Sequence, residues 1–130
     1  MVPEVRELSL ELAVTRDAPR SARRAVDSLP WDEQIEAAFE IRLLVTELVT
    51  NSLRHAGLSI RDRIRLEIRL HGDCVRVEVS APGRDFPLPD VAKPPTGVSG
   101  RGLFLVNALA DRWGTESDDR RAMVWFEIDV

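Results

Sequence analysis

Residues 47–57 read ELVTNSLRHAG and place a carboxylate, a carboxamide, a guanidinium and an imidazole within a short stretch of chain. Glu47 and Asn51 stand four apart, and Arg54 and His55 follow seven and eight residues after Glu47. On an α-helix this spacing sets all four on adjoining turns as one polar stripe. Leu43, Leu44 and Leu48 lie beside it, so the carboxylate and the amide stand at the edge of a buried face. Taken alone, such a stripe is the exposed side of an amphipathic helix. Its use depends on what the rest of the chain brings to it.

The helix carrying the stripe is predicted to run from about Asp32 to Ala56 without Pro or Gly, with Gly57 as its C-terminal stop. Before it, residues 5–14 alternate as a half-buried strand, with Leu8, Leu10, Leu12 and Val14 on one side. Asp17 and Pro19 open a short helix in which Ala22, Ala25, Val26 and Leu29 repeat at helical spacing, and Pro30 closes it. After it, Ile64, Leu66, Ile68 and Leu70 alternate, Gly72-Asp73 turns, and Val75, Val77 and Val79 alternate again, which reads as an antiparallel hairpin. Residues 81–102 interleave Pro82, Pro87, Pro89, Pro94 and Pro95 with Gly83, Gly97, Gly100 and Gly102, so no regular element runs through them. A helical pattern resumes from Gly102 to Trp113 and is expected to stop at Gly114. Strands at 113–116 and 123–130, joined by the polar turn SDDRR, complete the chain. This order predicts an α+β fold, a two-layer α/β sandwich with helices on one face of a mainly antiparallel sheet, as a single domain over 1–130 with a mobile Pro/Gly-rich lid.

Composition narrows the partners. The 130 residues are 44% hydrophobic and 31% charged, with a formal net charge of −4, and Lys93 is the one basic residue that is not Arg. A general nucleic-acid binder usually has the opposite balance, so no direct nucleic acid is expected. Cys74 stands alone, which excludes an internal disulfide, and no Cys/His set offers four zinc ligands. No apolar run approaches the roughly 18 residues of a membrane span, and the first residues lack a basic, apolar leader, so a soluble, cytoplasmic protein is expected.

Two further pieces carry possible chemistry. Gly97-Val98-Ser99-Gly100-Arg101-Gly102 precedes the last helix, where backbone N–H groups point forward and glycines admit a phosphate closely. Neither GxxxxGK[ST] nor a GxGxxG directly after a strand occurs, so the P-loop and Rossmann readings fail. Ser80-Ala81-Pro82-Gly83-Arg84-Asp85-Phe86, at the end of the hairpin, is by itself only a turn.

Their order is more specific than any one piece. ELVTNSLRHAG, the Pro-Gly turn, the proline-rich loop, GRGLFLVNALADRWG at 100–114 and AMVWFEI at 122–128 resemble the histidine-kinase-like ATPase superfamily. More narrowly, the chain resembles the small, stand-alone bacterial regulators of the anti-sigma-factor serine/threonine kinase group. The resemblance extends from about Leu8 to Val130 and implies a nucleotide between the helical layer and a lid at residues 87–99. By that resemblance Asn51 binds Mg²⁺ and Glu47 orients or deprotonates the attacking group, while Arg54 and His55 border the phosphates, His55 being equally a surface or capping residue. Gly100, Arg101 and Gly102, with Leu103 following, match the glycine box that holds the phosphates. The implied cofactors are ATP and Mg²⁺. The implied activity is phosphoryl transfer to a serine or threonine of an anti-anti-sigma protein, with a sigma factor as alternate ligand and a homodimer as the assembly. No helical hairpin with a phospho-accepting histidine is present, so a complete sensor kinase is not expected.

The first glycine box departs from the family. There it reads Asp-x-Gly-x-Gly, and its aspartate accepts a hydrogen bond from the adenine amino group; here Ala81, Gly83 and Asp85 occupy those positions. A charge-assisted hydrogen bond of about 1.5–3 kcal/mol corresponds to roughly 10- to 150-fold in affinity. Ser80, or a water it holds, and Asp85 are the nearest substitutes. The alternative function is a degenerate, weakly or non-nucleotide-binding module that sequesters a partner through Arg16, Arg20, Arg23 and Arg24.

Overall fold

The computed structural model describes residues 6–55, 57–83 and 101–130. Strand β1 (Arg6–Ala13) leads to helices α1 (Ala18–Asp27) and α2 (Ile35–His55), and a hairpin of β2 (Arg63–His71) and β3 (Cys74–Pro82) follows. Helix α3 (Arg101–Leu109) and strands β4 (Arg112–Ser117) and β5 (Arg121–Asp129) end the chain. The strands form one sheet in the order β1-β2-β3-β5-β4, with every neighbouring pair antiparallel. The helices cover one of its faces, the α+β sandwich that the sequence predicts.

Strand alternation builds the interface between the layers. Ile64, Leu66 and Ile68 of β2, Val75, Val77 and Val79 of β3, and Val124 and Phe126 of β5 are buried on the helical side. Register sets Leu66 beside Val79 and Val79 beside Val124, so these rows are continuous across the sheet. The helices answer with Ala22 and Val26 of α1, Ile41, Leu44, Val45, Leu48 and Val49 of α2, and Leu103 and Val106 of α3, all buried. Each large aliphatic side chain removed from water contributes about 1.5–3 kcal/mol. The small Ala18, Ala22 and Ala25 on the buried side of α1 let it approach α2 closely.

Two helix boundaries differ by three residues or more from the sequence reading, and β3 and α3 extend into the two ends of the stretch 81–102 that it leaves without a regular element. Helix α2 starts at Ile35 instead of Asp32, because Asp32 has φ +51, outside a right-handed helix. That conformation is held from outside: Arg6 Nη1 donates to Pro30 O (2.8 Å) and to Asp32 Oδ2 (2.9 Å). Trp31, buried, donates from Nε1 to Val26 O at 2.7 Å. Helix α3 ends at Leu109 instead of Trp113, because the chain leaves it to join the sheet: Asp111 N donates to Glu127 O at 2.9 Å, and Asp111 Oδ2 accepts from Asp129 N at 2.7 Å. Gly114 is therefore not a helix stop. It lies inside β4 opposite Trp125, where a Cβ would come within 2.8 Å of Trp125 Nε1.

The other face of the sheet is charged. Arg76 stacks 4.4 Å from the centre of a Trp125 ring and pairs with Glu78 (3.3 Å) and Glu127 (3.4 Å). Arg112 binds Glu127 at 2.8 Å and also pairs with Asp129. Its hydrogen bonds hold both carboxyls below the usual carboxylate range.

Candidate functional site

Helix α2 fixes the polar stripe by burying the opposite side of the helix. Ile41, Leu44, Val45, Leu48 and Val49 are fully buried and set the rotation of α2 on the sheet. Ser52 completes that row, 1% exposed, and its Oγ donates to Leu48 O at 3.1 Å, which satisfies the hydroxyl within the core. The rotation leaves Glu47 and Asn51 half-buried at the margin and Arg54 exposed one turn further on.

The start of α3 closes over this margin. Leu103 and Val106, fully buried, pull α3 onto α2. Gly102 is buried so near it that an added Cβ would lie 3.6 Å from each of Asn51 Nδ2, Glu47 O and Leu48 Cδ2. Residues far apart in sequence thus share one place: Glu47, Asn51, Gly102 and Leu103. The first N–H groups of α3 have no acceptor inside the helix, and their positive partial charge suits an anion lying against Asn51. Leu48, read from the sequence as core alone, forms part of the floor under Gly102. Its place between Glu47 and Asn51 is the signal for this second role.

The end of β3 supplies the third part. Ala81 is 2% exposed and belongs to the helix-facing row of Val75, Val77 and Val79, across from Ala122 of β5. It presents a methyl group where the resembled family has its carboxylate. Gly83 follows with φ +145, which a residue with a side chain rarely adopts, and its N–H donates to Arg120 O at 3.0 Å. Ser80 cannot replace the missing acceptor, because alternation turns it to the other face of the sheet. There Arg121 Nη2 donates to its Oγ and to its O, both at 3.3 Å. Asp85, Gly100 and the lid at 87–99 lie outside the described residues, as do the side chains of His55 and Arg101.

Among the described residues no group of three or more His, Cys, Asp or Glu side chains is placed to hold a metal ion. A cation at this site would take a single protein donor, the Asn51 amide oxygen, with phosphates and water supplying the rest. No described helix is long and apolar enough to cross a membrane.

Comparison with known proteins agrees with this fold. The sequence profile described as histidine kinase-like ATPase domain matches residues 9–128. The uncharacterized protein SCO4941 of Streptomyces coelicolor is 40% identical over 83 residues, 61% of this chain and 76% of that protein. Among solved structures, the histidine kinase domain of the blue-light activated histidine kinase of Erythrobacter litoralis EL346 superposes with a TM-score of 0.55 at 26% identity. That match covers 72% of this chain and 45% of the kinase domain chain. A second structure of the same kinase matches with a TM-score of 0.55 at 28% identity, over 72% of this chain and 30% of the other. The chain thus spans less than half the length of these kinase chains, and what it shares with them is the sandwich fold. It belongs to the histidine kinase-like ATPase domain family.

Proposed function

We propose that this domain binds MgATP between α2 and the start of α3 and, in the manner of anti-sigma-factor kinases, passes the γ-phosphoryl group to a serine or threonine of a partner protein. The expected partner is an anti-anti-sigma protein, with a sigma factor as alternate ligand and a homodimer as the assembly. The observation that carries the reading is the meeting of Gly102 with the Asn51 side chain and the Glu47 backbone. It brings a glycine at a helix N-terminus against the helix that carries an amide and a carboxylate four residues apart, and these are the groups that phosphate, Mg²⁺ and an attacking hydroxyl need.

The donor set fits Mg²⁺, which keeps few protein ligands and takes the rest from phosphates and water. Asn51 would hold the ion, and bound Mg²⁺ supplies charge neutralisation on the phosphates. Glu47, four residues before Asn51 on the same helix, accepts the hydroxyl proton as the new oxygen–phosphorus bond forms and the bond to the ADP leaving group breaks. The N–H groups of α3 offset charge on the phosphates, and Arg54 reaches their outer edge from solvent.

The Ala81 methyl favours a second reading, a degenerate module that sequesters a partner through Arg16, Arg20, Arg23 and Arg24. Thermal unfolding separates the two. MgATP at 100 times its dissociation constant stabilises by about 2.7 kcal/mol, or roughly 10 °C for a chain of this size, and Asn51→Ala removes the Mg²⁺-dependent part. No shift at millimolar MgATP would overturn the ATP-dependent regulator and favour the sequestering module.

A further inference from the structure

The first turns of α2 reverse the logic of the rest of the helix. Ile35 and Phe39, four residues apart and so on one side, are 73% and 69% exposed, whereas Ile41, Leu44, Val45 and Leu48 of the same helix are fully buried. Two large apolar side chains left together in water are a feature of docking surfaces more than of a helix that has finished packing. Beside them an open cleft of about 590 Å³ runs to the C-terminal edge of β5, lined by Glu33, Ile35, Glu36 and Val130, the last 41% exposed.

One flank of this patch is acidic. Glu36 and Glu40 each follow an apolar residue by one position and line the same side of Ile35 and Phe39, with Glu33 just before the helix; none of the three pairs with a cation among the described residues, while Asp32 is held by Arg6. On the other flank Arg42, three residues after Phe39, is paired with Asp27 at 3.3 Å. An apolar strip beside an acidic row selects its occupant by charge. Nucleic acid and anionic lipid are repelled, and a second copy presenting the same patch would set Glu36 and Glu40 against themselves. A helix with an apolar stripe flanked by Lys or Arg satisfies both strip and row, and helix-in-groove docking reads its partner through such i, i+4 anchors.

We propose that the Ile35–Phe39 face of α2 docks a basic amphipathic helix of a partner protein. The surface stands apart from the nucleotide reading: Phe39 and Asn51 are twelve residues apart, about 18 Å along the helix axis, so each can be removed without touching the other.

The probe is a fluorescein-labelled peptide of about 18 residues, five helical turns, with Leu at i, i+3, i+4 and i+7 spacing and Lys elsewhere. Two controls accompany it: a scrambled peptide of the same composition with no apolar face, and the same pattern with Glu for Lys. Fluorescence anisotropy with the full chain should give the Leu/Lys helix an affinity at least about tenfold above both controls. Phe39→Ser and Ile35→Ser should each reduce it about tenfold. Both residues are exposed, so the variants should keep the wild-type circular dichroism and melting midpoint, which ties lost binding to the surface. The double variant Glu36→Lys/Glu40→Lys should prefer the Leu/Glu peptide. Equal binding of wild type and Phe39→Ser, or of the ordered and scrambled Leu/Lys peptides, would overturn the proposal. So would a dimer in light scattering that Phe39→Ser dissociates, since the occupant would then be a second copy.

Discussion

Replacing Ala81 with Asp separates the base end of the proposed site from the fold, because burial and the proposed nucleotide contact give the two effects opposite signs. The Ala81 side chain is 2% exposed on the helix-facing row of β3, opposite Ala122, itself 5% exposed. With no ligand present, the new carboxyl lacks a partner there and costs about 1–3 kcal/mol, or roughly 4–11 °C in melting midpoint for a domain of this length. With nucleotide bound as proposed, the same carboxyl would accept from the adenine amino group. The charge-assisted hydrogen bond is worth about 1.5–3 kcal/mol, so MgATP should bind roughly 10- to 150-fold more tightly. Calorimetric titration of MgATP into wild type and Ala81→Asp, with melting curves of both ligand-free proteins, measures the two signs independently. Ala81→Leu, bulky and without an acceptor, controls for filling the space and should bind no more tightly than wild type. A destabilised Ala81→Asp with unchanged MgATP affinity would mean that the end of β3 does not face the base, and the first glycine box would leave the site.

Three other perturbations test other parts of the molecule. Gly102→Ala puts its Cβ 3.6 Å from three atoms of α2, an ordinary contact, and alanine is the better helix former by roughly 0.5–1 kcal/mol. Stability should hold or rise while MgATP affinity falls about tenfold or more, and unaltered titration curves would remove Gly102 from the phosphate cradle. Gly114→Ala meets Trp125 Nε1 at 2.8 Å and should cost about 1–3 kcal/mol in denaturant unfolding. A smaller penalty is expected in a Trp125→Leu background, and strict additivity of the two substitutions would refute the contact. Arg112→Gln tests pH dependence. Glu127 and Asp129 sit below their ordinary values of 4.5 and 3.8, chiefly through hydrogen bonds from Arg112. Their contribution is therefore complete above those values and is lost as pH falls through the depressed ones. The wild-type advantage over Arg112→Gln in urea unfolding should be present at pH 7 and narrow toward pH 3; a gap that stays constant would argue against the clamp.

Much of the architecture is legible because it is written in local periodicity. The apolar row of α2, the two-residue alternation of β2 and β3, and the stop at Gly57, which takes φ +61, are properties of neighbouring residues. The boundaries that differ are those set by distant groups. Asp32 leaves the helix because Arg6 of β1 holds it, and α3 stops short because Asp111 pairs with β5. Gly114 illustrates the same limit: at the end of a helical pattern a glycine reads as a stop, and only the strand pairing reveals that it makes room for Trp125. Within the site, the grouping of Glu47, Asn51 and Arg54 is intrahelical and follows from spacing. The closure by Gly102 is tertiary and was accessible only through resemblance. The orientation of Ala81 toward the helices and of Ser80 away from them follows from the alternation of Val75, Val77 and Val79, once the strand is known to continue unbroken to Pro82.

On the proposed function, the change from Asp to Ala81 at the base end of the site has a consequence for selectivity. A pocket built around a hydrogen bond to its ligand rejects analogues that leave its polar group unpaired, because the lost bond and the stranded group both count against them. Ala81 strands nothing. An adenine amino group there finds no side-chain acceptor, and a guanine carbonyl meets a methyl group without charge repulsion. In the proposed site, affinity would then reside in the triphosphate and its metal, held by Asn51 and the start of α3, and these groups are the same in ATP and GTP. Competition titrations with Mg²⁺ present should give dissociation constants for ATP and GTP within about tenfold of each other. Ala81→Asp should widen the ratio by strengthening ATP and weakening GTP, since its carboxylate repels the guanine carbonyl. A wild-type preference for ATP of a hundredfold or more would place an acceptor for the adenine amine elsewhere in the pocket, and base selection would not depend on the end of β3.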